Sequence, residues 1–192
     1  MTGRGAARLA HATARKGGRE QGTTLVELLV AAITLSLLLL GFGRFMAVSM
    51  VTAGLDREAA LAEEAARSQL EVLRAEDLTD VFARYNALPD DDPEGIGTAP
   101  GKDFAVANLV AMTTDADGMA GEILLPETPP GVLREDQLDP LFGLPLDLNG
   151  DGLIDAADHA GDYAALPVVV RVEWTGQSGP ARVEIRTTLG AF

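Results

Sequence analysis

The run with the most chemistry in it is Asp147-Leu148-Asn149-Gly150-Asp151-Gly152-Leu153-Ile154-Asp155-Ala156-Ala157-Asp158. Asp147, Asn149, Asp151, Asp155 and Asp158 offer side-chain oxygens, and the Leu153 carbonyl falls between them. Calcium takes six to eight hard oxygen ligands, and this spacing can wrap them round one centre. Gly152 permits the sharp turn such a loop needs, and Ile154 is expected to anchor it in apolar surroundings. The competing reading is an acidic turn closed by Asx and Gly residues. Other chemistry has little to draw on. The chain has no cysteine and two histidines, His11 and His159. Disulfides, thiolates and zinc clusters are thereby excluded or starved of ligands. No nucleophile elbow and no paired catalytic acids accompany them, so no enzymatic activity is expected. His159, beside the loop, reads as a surface residue.

A second residue asks for a reason. From Leu28 to Gly43 the chain reads LLVAAITLSLLLLGFG, without a charge. Extended back to Thr24, the segment has about the twenty residues that cross a bilayer. Glu27 lies at its start, and a carboxylate in such a segment costs up to about 2.5–3.5 kcal/mol at the membrane centre and less near the interface. It stands four residues after Thr23. A cut between Gly22 and Thr23 would leave a free amine one helical turn from Glu27, and the carboxylate could equally reach the amine of a neighbouring copy.

The charge is distributed unevenly. The total is -14, yet residues 1–22 hold five basic side chains and one acid, so the rest of the chain carries -18. A head this acidic argues against nucleic acid as a partner, because phosphate is met with Lys and Arg. Basic residues before the apolar segment put residues 1–22 in the cytoplasm and everything after the segment outside it.

With these features in place, Gly22-Thr23-Thr24-Leu25-Val26-Glu27-Leu28-Leu29-Val30-Ala31 resembles the prepilin signal of type IV pilins and type II secretion pseudopilins. The family pattern is a basic leader ending in Gly, a first mature residue that is often Phe, and a Glu five residues after the Gly. Gly22 and Glu27 match, and Thr23 stands in the place of the usual Phe. The resemblance implies cleavage after Gly22 by prepilin peptidase, which in this family is followed by methylation of the new N-terminus. It also implies that Glu27 neutralises the terminus of an adjacent subunit as an inner-membrane platform assembles the filament. The calcium loop, with Asp158 where an EF-hand has Glu and with no entering helix after Pro145, is similar to single dockerin loops. An exit helix is expected from Ala156 to Leu166.

The expected fold is α+β and pilin-like: a long N-terminal helix, membrane-spanning in its first half, packed against a small antiparallel sheet. The divisions are a leader at 1–22, a transmembrane and assembly helix at 23–46, an amphipathic stalk at 47–88, and a β-rich extracytoplasmic head at 89–192 with its calcium loop at 147–158. Ala59, Ala62, Ala66, Leu70 and Leu73 recur at helical spacing, continued by Leu78, Val81, Phe82 and Tyr85, so one helix is predicted to run to about Ala87 and stop at Pro89. Asp90-Asp91-Asp92 reads as a solvated loop. Two strands, Phe104–Met112 and Glu122–Leu125, are predicted around a turn at Asp115–Gly118. Val168, Val170, Val172 and Trp174, with Val183, Ile185, Thr187 and Leu189, alternate as a hairpin closed by Gly176–Pro180. Two functions fit these features. One is a minor pilin or pseudopilin of a type IV pilus-like or type II secretion filament. The other is a membrane-anchored extracytoplasmic calcium-binding module that recognises a partner without polymerising.

Overall fold

A computed structural model describes residues 24–190. The leader, Gly22 and Thr23 lie outside the described residues. The elements are helices α1 (Leu25–Ala75) and α2 (Leu78–Tyr85), a short 3-10 turn (Pro89–Asp91), and strands β1 (Asp103–Phe104), β2 (Gly121–Leu124), β3 (Ala165–Gly176) and β4 (Gly179–Gly190). The class is α+β. The chain divides into two compact units, one up to Met46 and one from Ala47 onward.

In the first unit every residue from Thr24 to Met46 is exposed, including Leu25, Leu38 and Phe45. Such a surface of Leu, Val, Ile and Phe is unfavourable in water at roughly 25 cal/mol per Å². The helix is long and apolar enough to cross a membrane.

In the second unit, Ala62, Ala66, Leu70 and Leu73 of α1 are buried, while Ala59 at the end of the stripe is half-buried. The stripe packs into one core with Val168, Val170, Val172 and Trp174. Small alanines on the helix leave room for the valines. The sheet has the order β1-β2-β3-β4 and is antiparallel throughout. Val170 pairs with Ile123 on one side and Ile185 on the other, which makes an apolar row across three strands. The hairpin tip lies close against α1. A Cβ on Gly54 would come within 2.7 Å of the Gln177 amide, and one on Gly176 would collide with the Glu58 carboxylate. Trp174 Nε1 donates to Glu58 Oε2 at 3.3 Å in the same place.

Four local expectations change. The helix does not run to Ala87. It ends at Ala75, and α2 restarts after Asp77, whose carboxylate accepts the Thr79 N–H at 3.2 Å as an N-cap. The stripe shifts at Leu78 because the axis is broken there. Of the strand predicted from Phe104 to Met112 only Phe104 is in β1, and beyond it only Ala111 bridges, to Trp174. The last hairpin is longer than its alternation suggests, with Gly176 paired to Gly179 across a two-residue turn. Pro167 lies inside β3, not after a helix. Pairing to β2 begins only at Val169, so the missing N–H falls on an open edge where proline is tolerated.

Candidate functional site: the acidic loop and the start of α1

The loop from Asp147 to Asp158 is held at both ends by buried groups. Leu148 is fully buried, and its carbonyl accepts the N–H groups of Ala164 and Ala165 at 2.8 and 2.9 Å. Glu135, 1% exposed, accepts the N–H groups of Leu148 at 2.5 Å and Asn149 at 3.1 Å. A buried carboxylate is tolerable only with such charge-assisted partners. At the far end Asp158 Oδ1 accepts from Leu133 N and Ala160 N, at 3.0 and 3.1 Å.

His159 corrects the surface reading, being 4% exposed. Its N–H donates to the Leu133 carbonyl at 2.8 Å. Its ring lies 3.0 Å from Asp162 Oδ1, 3.3 Å from Asp155 Oδ1 and 3.7 Å from Glu135 Oε2. Burial works against the charged ring, but these carboxylates outweigh it and the pKa is raised. The exit helix expected at Ala156–Leu166 is absent, because the chain there folds around His159 in successive turns before β3 begins. Ile154 is no anchor either. It is exposed, as is Leu153, and Leu148 fills the anchoring role instead.

Between these ends the loop is exposed and its side chains cap their own backbone. Asp147 accepts from Gly150 N at 2.6 Å and Gly152 N at 2.8 Å. Asn149 accepts from Asp151 N at 3.0 Å, Asp151 from Leu153 N at 2.7 Å, and Asp155 from Ala157 N at 2.7 Å. These are Asx turns. Gly150 and Gly152 both have positive φ, +80° and +85°, as the turns require. The Asp155 carboxyl is held below the usual carboxylate range by the Ala157 N–H and then by His159. Among the described residues no three carboxylate or imidazole groups converge as a metal site. The second oxygens of Asp151, Asp155 and Asp158 accept no hydrogen bond from another described residue. The donor set therefore has hard-cation chemistry, but gathering it would require the exposed turn to close. Glu135 and the buried role of His159 were missed from sequence. Glu135 has no local signal, since it depends on the distant Leu148 and Asn149 N–H groups, whereas Asp155 and Asp162 flank His159 at i−4 and i+3 and only its backbone bond to Leu133 is distant.

At the start of α1, Glu27 is exposed in the first turn. Its N–H donates to Thr24 Oγ1 at 3.3 Å. Thr24-x-x-Glu27 is thus one half of a capping box. A carboxylate there also opposes the positive end of the helix dipole.

No protein-family model, curated protein or solved structure matches this chain.

Proposed function

We propose that the chain is a structural subunit, a minor pilin or pseudopilin, of a type IV pilus-like or type II secretion filament. The observation that carries the reading is the Gly22…Glu27 spacing behind a basic leader and directly ahead of an apolar helix. The exposed apolar surface of α1 supports it, because that surface suits either lipid or neighbouring helices. The α+β class, with a long N-terminal helix and a small antiparallel sheet, is compatible with it. In this reading prepilin peptidase removes residues 1–22, the N-terminus faces the cytoplasm, and the head lies outside the inner membrane. The partners are other pilin-like subunits and the membrane assembly platform, with no nucleic acid contact. The chain has no catalytic role.

Calcium belongs to the same proposal as a structural ion. Asp147, Asn149, Asp151, Asp155, Asp158 and the Leu153 carbonyl would hold it, and Glu135 would fix the loop entrance. A head without cysteine gains stability from any ion that binds only its folded form.

Mass spectrometry of the membrane-extracted chain tests the leading reading. A mature terminus at Thr23 is expected, and Gly22→Val should leave full-length precursor. An intact leader on the wild-type chain would favour the simple anchored calcium module.

A further inference from the structure

The outward face of the sheet carries a chain of ion pairs. From β1 towards β4, Lys102 meets Glu122 at 2.6 Å, Arg171 meets Glu122 at 3.9 Å and Glu184 at 2.9 Å, and Glu184 meets Arg186 at 3.1 Å and Arg182 at 3.7 Å. Charges in the middle of this face are shared on both sides. Its two ends carry excess charge of opposite sign.

At the β4 edge, Arg182 and Arg186 have side chains 59% and 56% exposed. Both lean on Glu184, which already holds Arg171; Glu173, 3.8 Å from Arg182, is the other carboxylate near them. At the β1 end a cleft of about 250 Å³, which reaches across β2 to Arg171 and Glu173 of β3, gathers Asp103, Asp115 and Asp117. The nearest cation, Lys102, is engaged by Glu122, and lies 3.9 Å from Asp103. Partial loss of hydration and the neighbouring Asp117 push the Asp115 carboxyl up, and loss of hydration does the same for Asp103.

We propose that the β4 edge of one copy docks through Arg182 and Arg186 into the acidic cleft beside β1 of a second copy. Guanidinium groups meet carboxylates in paired, directional hydrogen bonds, which suits two arginines on one strand edge and three aspartates in one cleft. Strand direction agrees, because β1 and β4 run opposite ways in this sheet. The edge of one copy therefore meets the other edge of an identically oriented copy as an antiparallel neighbour. The contact joins two different surfaces, so it is heterologous and repeats without closing, as a filament requires. This inference deepens the filament reading and rests on it for its biological setting.

The cysteine-free sequence allows a direct test on the full chain in membranes. Pro180→Cys and Thr114→Cys chains, which keep Arg182 and Asp115, are co-expressed and treated with a bis-maleimide. A mixed dimer is expected, with neither variant cross-linking alone, and the variant carrying both changes should give a ladder. Arg182→Glu with Arg186→Glu, in chains carrying cysteines at Pro180 and Thr114, should reduce the mixed dimer to background. Adding Asp115→Arg with Asp117→Arg in the partner should restore it, which a misfolded head could not do. Absence of the mixed dimer, or cross-linking indifferent to the charge reversal, overturns the docking. Filaments that form without the cross-link overturn it while leaving the filament reading intact. Charge-dependent cross-links between chains that keep their leader support the docking and count against the filament reading.

Discussion

The hydroxyl of Tyr163 accepts the Phe82 N–H at 3.0 Å and donates to the Leu78 carbonyl. In an uninterrupted helix those two backbone groups would bond to each other, residue i to i−4. The side chain from the turns after the acidic loop is thus inserted into the ladder of α2, with its ring edge-on to Phe82 at 6.4 Å. An eight-residue helix is too short to be stable alone. Its position depends on this insertion and on the burial of Val81, Phe82 and Tyr85.

Tyr163→Phe keeps the ring and removes the bridge. A buried hydrogen bond of this kind contributes on the order of 1–2 kcal/mol, so the melting temperature of a fragment spanning 47–192 should fall by several degrees. Amide exchange should accelerate most at Phe82. An unchanged protection factor there would show that α2 does not lean on the hydroxyl.

Burial also pushes the Tyr163 hydroxyl from its ordinary value of 10 up to about 12. The folded chain therefore holds this proton more tightly than the unfolded chain does. The resulting stability is complete below pH 10 and is lost as the pH rises from about 10 to about 12. Denaturant midpoints across that window should fall for the wild type and fall less steeply for Tyr163→Phe.

The acid side has its own dependence, through Glu184. Desolvation opposes its charge, but hydrogen bonds from Arg186 and Arg171 outweigh that and hold its carboxyl below the usual range. A depressed folded value contributes stability that is present above the unfolded pKa and disappears as pH falls through the folded one. Glu184→Gln should therefore be less stable than wild type at pH 7, and the gap should close on acidification. Urea melts at pH 7 and pH 3 give the comparison.

The hairpin was legible because period-two alternation at Val168, Val170, Val172 and Trp174 has one physical meaning when Gly and Ser follow. The apolar segment was legible because its length fits a bilayer. The α1 break was not, although Asp77 and Thr79 spell an N-cap, because the apolar stripe runs on through Leu78 and Val81. Folding after Asp158 was not legible either. Ala156–Leu166 has helical composition, but His159 is tied to Leu133 and Asp162, and Tyr163 to α2. Leu133 and α2 are far away in sequence, and such tertiary contacts override a local preference of a few tenths of a kcal/mol per residue.

Calcium should raise the melting temperature of the 47–192 fragment. At about 100 times the dissociation constant the linkage is about 2.7 kcal/mol, worth several degrees. Asp151→Ala should remove most of that rise and leave the calcium-free value nearly unchanged, since Asp151 caps only the exposed Leu153 N–H. Magnesium should substitute poorly, because it demands a shorter, near-octahedral shell. A melting temperature indifferent to millimolar calcium and to chelator would make the run an acidic turn.

Glu27 has two candidate roles, and one pair of substitutions separates them. As a helix-start residue it acts through its backbone N–H, which Thr24 Oγ1 accepts. As an assembly residue it acts through its charge on a neighbour's terminal amine in a low-dielectric layer, where the attraction is far stronger than in water. Glu27→Gln removes the charge and leaves the backbone N–H on Thr24 Oγ1 in place, while Thr24→Ala removes that cap and leaves the charge. If assembly is the role, Glu27→Gln should insert and be processed as well as wild type, since it makes the segment more apolar, but should be recruited poorly into filaments, and Thr24→Ala should be recruited normally. If the helix start is the role, Thr24→Ala should be recruited poorly and Glu27→Gln should behave as wild type. Quantitative blotting of sheared filament against membrane fractions distinguishes these outcomes, and normal recruitment of Glu27→Gln would defeat the assembly role.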